Sequence, residues 1–183
     1  PIAWIVEGAD DASVAYAARL MEQGANVRAI DQAIELDGYT FSRGSVMVYN
    51  NDNRAFDGDL AALVAATAGE LKLSATGLSE GLGSGNLPDI GGRHFVLLER
   101  PRVAILSRGG ISPYSFGAIW HSIDSNLGIR HSHLDQARFG SRDLRRYNVL
   151  VLPHRYRGEL SGDELKALKA WVVAGGTLIA IQG

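Results

Sequence analysis

Three short apolar segments in the second half of the chain constrain its fold most strongly. Val103–Leu106 and Val149–Leu152 are continuous apolar runs, and residues 177–181 follow a Gly-Gly pair that ends a helical pattern. Continuous runs of this length are typical of strands that are buried on both faces of a sheet. Because helical patterns lie between the runs, we expect a parallel sheet whose strands are joined by right-handed crossovers.

The helices between these strands are also visible in the sequence. Apolar side chains recur at helical spacing from Phe116 to Leu127, and residues 130–134 read as the strand that follows. A capping box of Ser161 and Glu164 predicts the start of the last helix. The side chains expected to face inward from that helix are Leu165, Leu168, Trp171 and Val172.

The first half has a different pattern. A strand at 2–6, a helix with apolar positions from 14 to 21 and a strand at 26–30 predict one βαβ unit. Asp37 and Gly38 predict a hairpin turn between 33–36 and 39–41, because Asp-Gly accepts the positive φ of a type I′ turn. The remaining elements expected in this half are strands at 45–49, 71–75 and 95–99 and a helix at 60–66.

A glycine-rich segment separates the two patterns. Residues 77–92 hold six glycines in sixteen residues, which is a linker or long-loop composition. We therefore predict a small α/β subdomain at 1–100 that ends in this linker, and an α/β domain at 101–183. We expect the second domain to be truncated at its C-terminus, because the chain stops where the next element should begin.

Composition excludes several classes of function. The formal net charge is −2, so there is no basic field to hold a phosphate backbone, and we expect no nucleic-acid partner. The chain has no cysteine, which excludes disulfides, thiolate metal sites and a cysteine nucleophile. No apolar run reaches the roughly 18 residues that a membrane span needs, so we expect no membrane segment.

Polar and glycine residues follow the predicted strands of the second half. In an open parallel sheet, ligands bind beyond the carboxyl ends of the strands. The residues expected to line such a ligand pocket are Ser107, Gly109, Gly110, Ser112, His154 and Arg155.

Two chemistries are possible for these residues. The Gly109–Gly110 turn and Arg155 could hold an anion, although the third glycine of a dinucleotide fingerprint is missing and an ordinary tight turn explains the pair as well. Ser107 or Ser112 could be a nucleophile beside a histidine, although neither lies in a G-x-S-x-G elbow.

A weak metal-site pattern lies on the strand at 130–134. His131 and His133 are two residues apart and therefore point to the same face, and Asp135 follows them. Imidazole and carboxylate groups are metal ligands, but no fourth ligand is evident and an exposed strand face explains the histidines equally well.

Longer stretches of the chain resemble a known family. Residues 101–124 (PRVAILSRGGISPYSFGAIWHSID), 147–153 (YNVLVLP) and 165–183 (LKALKAWVVAGGTLIAIQG) resemble a class I glutamine amidotransferase-like domain. The version most similar is carried C-terminal to the peptidase domain of large bacterial zinc carboxypeptidase-like proteins. Residues 10–30 and 38–50 resemble the segment that follows the peptidase domain in those proteins.

The resemblance carries several expectations. It implies a flavodoxin-like parallel sheet with helices on both faces. It also implies a zinc metallocarboxypeptidase as the parent, with a peptidase domain in cis that holds the zinc, and no cofactor in this segment. A peptide or cell-wall-derived ligand and a periplasmic or secreted location are further implications.

The departures from the family decide the functional prediction. Amidotransferases of this class place a cysteine on the elbow after a strand like 177–181, whereas Gln182 occupies that slot here, and an amide is no nucleophile. The His-x-x-Glu pair of the zinc peptidases is also absent from the sequence. We therefore predict a non-catalytic accessory domain in which Gln182 marks a degenerate nucleophile position. The alternatives are an anion or small-ligand sensor domain and a serine/histidine hydrolase on the strand-end loops.

Overall fold

The fold is given by a computed structural model, which describes residues 1–83, 85, 88–136 and 144–181. The chain divides into two compact units, Pro1–Arg100 and Pro101–Gly183, and the first is the longer of the two in this chain. Both units combine helices with strands, so the chain is a mixed α/β protein. Within the described residues, no helix has the length and apolar character needed to cross a membrane.

The first unit is built on a five-stranded sheet and a separate two-stranded hairpin. Its strands are β1 (Ala3–Val6), β2 (Arg28–Ile30), β3 (Ile34–Leu36), β4 (Tyr39–Phe41), β5 (Val46–Tyr49), β6 (Ala75–Leu78) and β7 (Phe95–Leu97). The large sheet has the order β6-β1-β5-β2-β7, and every pairing in it is antiparallel.

The predicted βαβ unit is present but split. β1 and β2 are each antiparallel to β5, so they run parallel to one another with β5 inserted between them. The loop after β1 passes very close to the start of β5, because a Cβ added at Gly8 would overlap the backbone of Gly44 and Ser45. Sequence periodicity identified the two strands correctly, but it carried no information on the strand that separates them.

The two faces of this sheet are covered by different elements. Helices α1 (Ala12–Glu22) and α2 (Leu60–Glu70) lie on one face, where Tyr16 and Leu20 join a core with Val48. The hairpin contributes to the other core, whose members are Ala3, Ile5, Ile30, Ile34, Leu36, Phe41, Met47, Leu78 and Phe95. Alternate residues of a strand face opposite sides of a sheet, so β1 and β5 supply both cores.

The predicted hairpin turn is confirmed. Asp37 and Gly38 have φ values of 51° and 76°, both in the left-handed region that a type I′ turn requires. The Asp37 carboxylate also accepts hydrogen bonds from the backbone N and the Oγ of Ser79, at 2.7 and 2.8 Å. These two bonds lower the pKa of Asp37 and attach the turn to the residues that follow β6.

The prediction of a strand at 71–75 is wrong, because β6 occupies Ala75–Leu78. Helix α2 runs to Glu70, and Lys72 then adopts a φ of 57°, which turns the chain before the strand begins. Gly77 and Leu78 consequently lie in β6 and not in a linker. The described residues of 79–92 connect β6 to β7, so the glycine-rich segment is a loop within the first unit.

The predicted parallel sheet of the second unit is confirmed. Its strands are β8 (Val103–Leu106), β9 (His131–Leu134), β10 (Val149–Leu152) and β11 (Thr177–Ala180). The order is β11-β10-β8-β9, and all three pairings are parallel. The first crossover leads from β8 to β9 and the last leads from β10 to β11 in the opposite direction, so the strand order reverses between β8 and β10.

In the described residues, α-helices lie in the β8–β9 and β10–β11 connections. Ser112 caps α3 (Pro113–His121), whose first residue is a proline that suits the first turn of a helix. The chain then continues as a π-helix over Ser122–Leu127, which ends at Gly128 with a φ of 68°. Short 3-10 helices lie at Asn50–Asn53 in the first unit and Leu144–Arg146 in the second.

Helix α4 (Gly162–Val173) begins at the predicted capping box. The Ser161 Oγ accepts a hydrogen bond from the Glu164 N at 3.3 Å, and the Glu164 carboxylate accepts one from the Ser161 N at 2.6 Å. Leu168 and Trp171 are buried as predicted, but Leu165 and Val172 are 52% and 40% exposed, so the prediction that they face inward is wrong. Leu168 and Trp171 are the residues of this helix that join the core of the second unit, where they pack with Leu150 and Leu178.

Among the described residues of the first unit, the Tyr16 hydroxyl is a buried side-chain group without a partner, and its effect on stability can be tested. Tyr16 is fully buried, its hydroxyl has no hydrogen-bond partner among the described residues, and burial raises its pKa. Because an unpaired buried hydroxyl costs roughly 1–3 kcal/mol, Tyr16→Phe is expected to raise the free energy of unfolding by about 1 kcal/mol. Urea denaturation measures this change.

Tyr39→Phe is the matched control, because the Tyr39 side chain is 51% exposed and loses no buried group. Its free energy of unfolding is expected to stay within about 0.5 kcal/mol of the wild-type value. A clear loss of stability in Tyr16→Phe would contradict the interpretation of the hydroxyl as unpaired.

Candidate functional site

The loops that follow β8 and β10 lie side by side at the carboxyl edge of the parallel sheet. The Ser112 N donates a hydrogen bond to the His154 O at 2.8 Å, and the Tyr156 N donates one to the Gly110 O at 3.1 Å. Ile111 and Arg155 form an isolated β-bridge between these two bonds. The structure therefore brings together the residues from 109 to 112 with His154 and Arg155, at the point where the strand order reverses.

The glycine pair is required by the packing of these loops. Gly109 and Gly110 have φ values of 81° and 88°, which other residues rarely adopt. A Cβ at Gly109 would overlap the side chain of Gln136, and a Cβ at Gly110 would overlap the carbonyl of Arg157. Protein atoms fill the space beside both glycines, so the pair forms a tight turn and not an open phosphate cradle.

Arg155 is the unusual residue of this edge. Its Nη1 and Nη2 atoms are buried and have no hydrogen-bond partner among the described residues. The guanidinium lies near the adjoining turn, because a Cβ at Gly158 would be 3.5 Å from Nη2 and 4.0 Å from the Gly109 O. A buried charge without a partner costs several kcal/mol, so this position is suited to an anion.

Gln136 is a second residue of the site, and the sequence analysis missed it. Its Nε2 donates a hydrogen bond to the Glu159 O at 3.3 Å, while its Oε1 is buried without a partner among the described residues. Gln136 lies two residues after the end of β9. Its place beyond the carboxyl end of a parallel strand is the sequence signal that could have identified it.

The two candidate serines have structural roles. The Ser107 Oγ donates a hydrogen bond to the Leu134 O at 3.2 Å, which ties the end of β8 to the end of β9. The Ser112 Oγ accepts one from the Ser115 N at 3.4 Å as the cap of α3. In the described contacts neither hydroxyl is bonded to a histidine, and the His154 N donates to the Ser115 Oγ at 3.0 Å.

The histidines of β9 form an aromatic cluster. The rings of His131 and His133 are 5.2 Å apart, and the ring of Phe116 on α3 meets His133 edge-on at 5.0 Å. The His131 Nδ1 donates a hydrogen bond to the Ile129 O at 3.1 Å. Asp135 does not join the pair, and no group of three or more potential ligands that could hold a metal ion occurs among the described residues.

The environment of His133 disfavours its charged form. His133 is an exposed residue, but partial desolvation of its ring and, after it, the neighbouring His131 lower its pKa, and Asp124 on the π-helix acts in the opposite direction. The unfolded chain therefore takes up a proton on this group at a higher pH than the folded protein does.

The sign of the pH dependence follows from this shift. The contribution of His133 to stability is complete above the unfolded pKa of about 6.5 and is lost as the pH falls through the lower folded pKa. His133→Gln is expected to reduce the drop in melting temperature between pH 7.5 and pH 5. His121→Gln, which changes an exposed histidine of α3, is expected to keep the wild-type drop. An equal drop in melting temperature in the wild-type protein and both variants would contradict the lowered pKa of His133.

A cleft lies among the described residues of the first unit. It has a volume of about 340 Å³ and is lined by Ile2, Tyr49, Asn50, Asn51 and Arg54. The Asn50 Nδ2 donates a hydrogen bond to the Pro1 O at 2.8 Å. None of its described lining residues has a buried polar side-chain atom without a hydrogen-bond partner. The cleft therefore lacks the feature that distinguishes Arg155.

The predicted nucleophile slot, Gln182, lies outside the described residues. The strand that leads to it is present: β11 pairs with β10 from Thr177 to Ala180, and the Ile181 N donates a hydrogen bond to the Leu152 O at 2.9 Å. The identification of Gln182 with a degenerate nucleophile position stays a prediction.

Comparison with known proteins leaves the family open. No protein family, curated protein or solved structure matches the chain. The resemblance to the amidotransferase-like region of zinc carboxypeptidase-like proteins therefore stays a prediction as well.

Proposed function

We propose that this chain is a non-catalytic module that binds a small anion at the carboxyl edge of its parallel sheet. The observation that carries the proposal is the guanidinium of Arg155, whose two terminal nitrogens are buried without a partner among the described residues. Arginine does not lose its proton in proteins, so the cost of burial cannot be relieved by neutralisation. An anionic ligand supplies the missing counter-charge.

The chemistry and the position of Arg155 both favour a bound ligand. Two terminal nitrogens of a guanidinium match two oxygens of one carboxylate or phosphate group and form paired, charge-assisted hydrogen bonds. Arg155 follows β10, and β8 and β10 flank the point where the strand order reverses. Ligands of open α/β sheets bind at such switch points.

The proposal includes a flavodoxin-like sheet with helices on both faces for the second unit. Counted within the unit, the order of its strands is 2-1-3-4. This is the order with which a flavodoxin-like sheet of five strands, 2-1-3-4-5, begins. The parallel pairings support the same assignment.

The proposal also includes an accessory role beside the peptidase domain of a zinc carboxypeptidase-like protein. The support is the sequence resemblance of both halves of the chain. Zinc would belong to the peptidase domain in cis, and a carboxylate of a peptide or of a cell-wall-derived molecule would suit Arg155. A periplasmic or secreted location accompanies this role.

Replacement of Arg155 tests the anion site. Without ligand, Arg155→Met is expected to raise the free energy of unfolding by about 1–3 kcal/mol, because it removes a guanidinium whose terminal nitrogens are buried without a partner among the described residues. Millimolar acetate or phosphate is expected to raise the melting temperature of the wild-type protein but not that of Arg155→Met. Differential scanning fluorimetry at constant ionic strength measures both effects.

Arg157→Met is the matched control for this experiment. Arg157 lies two residues further along the same loop and is exposed, with its guanidinium over the ring of Tyr156. The control is expected to keep the response of the wild-type protein to anions. An equal response in Arg155→Met would refute the site.

Absence of catalysis is tested separately. The purified chain is expected to hydrolyse neither glutamine nor a peptide ester, because the hydroxyls of Ser107 and Ser112 already serve structural hydrogen bonds. A kcat of about 1 s⁻¹, the lower end of the range for typical enzymes, would indicate catalysis. Loss of this activity in Ser107→Ala or Ser112→Ala would overturn the non-catalytic assignment. Ser115→Ala, on the same helix turn as Ser112, controls for damage to α3.

A further inference from the structure

We infer that the anion bound beside Arg155 is a small hydroxy carboxylate, an inference that rests on the proposed function. Two side chains of the site have buried polar atoms without hydrogen-bond partners among the described residues, one with donors and the other with an acceptor. The Nη1 and Nη2 of Arg155 need an acceptor, and the Oε1 of Gln136 needs a donor. A ligand that satisfies the site therefore carries both an acceptor pair and a hydrogen-bond donor.

The orientation of the Gln136 amide is determined by its neighbour. The Nε2 donates a hydrogen bond to the Glu159 O at 3.3 Å, and a carbonyl oxygen can only accept. The opposite end of the amide must then be the oxygen, and this oxygen is buried without a donor in the described part of the chain. A flipped amide would lose the existing bond and leave the Glu159 carbonyl facing another oxygen.

The two groups without partners lie near the same turn, Gly109–Ile111, which Arg155 joins through its β-bridge with Ile111. The side chain of Gln136 packs where a Cβ of Gly109 would lie, and the guanidinium of Arg155 lies next to Gly158, which is itself near the Gly109 O. The segment 156–159 is exposed and touches both groups, through Gly158 beside Arg155 and through the carbonyl of Glu159 on Gln136. Because the partnerless atoms of both groups are buried, the proposal requires this segment to open locally when a ligand binds.

The chemistry of the two groups selects the ligand class. Both terminal nitrogens of Arg155 lack acceptors, which suits the two oxygens of one carboxylate. The donor for Gln136 is better supplied by a hydroxyl than by an ammonium group, because a second cation beside a buried guanidinium is disfavoured. Sulfate has no donor and leaves the Gln136 oxygen unpaired.

Three ligands of nearly equal size test the class, with binding to the full 183-residue chain measured by isothermal titration calorimetry. Propanoate has the carboxylate alone, lactate adds a hydroxyl, and alanine adds an ammonium group instead. The wild-type protein is expected to bind one enantiomer of lactate about tenfold more tightly than propanoate, because a paired buried acceptor is worth about one decade in affinity. Alanine is expected to bind more weakly than lactate.

Gln136→Met removes the acceptor at nearly constant size. This variant is expected to bind lactate and propanoate equally, with the affinity for propanoate unchanged. Gln23→Met, which replaces an exposed glutamine of the first unit, is expected to keep the tenfold preference for lactate. If Gln136→Met does not fold, the affinities of the wild-type protein for propanoate, lactate and alanine still decide the ligand class.

The outcomes separate this inference from the proposed function. Equal affinities of the wild-type protein for lactate and propanoate, both lost in Arg155→Met, would overturn the hydroxy carboxylate and leave the anion site standing. Tightest binding of alanine would overturn the class in favour of an amino acid. Absence of binding by all three ligands and by phosphate would refute the anion site itself.

Discussion

The parallel pairing of β10 with β8 on one side and β11 on the other is the constraint on which the second unit depends. It places the turn after β8 against the loop after β10, where the two backbones exchange hydrogen bonds around Ile111 and Arg155. Because parallel strands end at a common edge, residues more than forty positions apart in sequence meet there. The candidate site is therefore a product of strand order and not of any local motif.

The same pairing explains why the terminal nitrogens of Arg155 lack an acceptor among the described residues. The loops pack closely enough that a Cβ at Gly109 or Gly110 would overlap protein atoms. This packing removes the end of the Arg155 side chain from water without providing an acceptor among the described residues. A structural arginine normally reaches a carboxylate, as Arg28 does in the first unit, where its Nε and Nη2 lie 2.6 and 2.9 Å from the oxygens of Asp52. The contrast between the two arginines is the main physical argument for a ligand.

The first unit differs from the second in its sheet and in its polar contacts. Its sheet is antiparallel, and β1 and β5 supply side chains to the helix-covered core on one face and to the hairpin-covered core on the other. Polar side chains of this unit have hydrogen-bond partners. The Asp37 carboxylate accepts a bond from the Ser79 N, and the Asn53 Nδ2 donates to the backbone oxygens of Asn26 and Tyr49. The bonds of Asp37 to Ser79 and of Asn53 to Asn26 join elements that are distant in sequence.

The sequence by itself determined the elements whose signals are local. The apolar runs of β8 and β10, the Asp37–Gly38 turn and the capping box at Ser161 were all predicted correctly, because periodicity, positive φ and capping act over a few residues. Tertiary structure alone decided that β5 separates β1 from β2, that Leu165 and Val172 stay exposed on α4, and that Gln136 meets the turn at Gly109. It also decided that the Nη1 and Nη2 atoms of Arg155 are buried without a partner in the described part of the chain. Strand order, burial and unpaired polar atoms depend on contacts between distant residues, and local sequence patterns do not encode them.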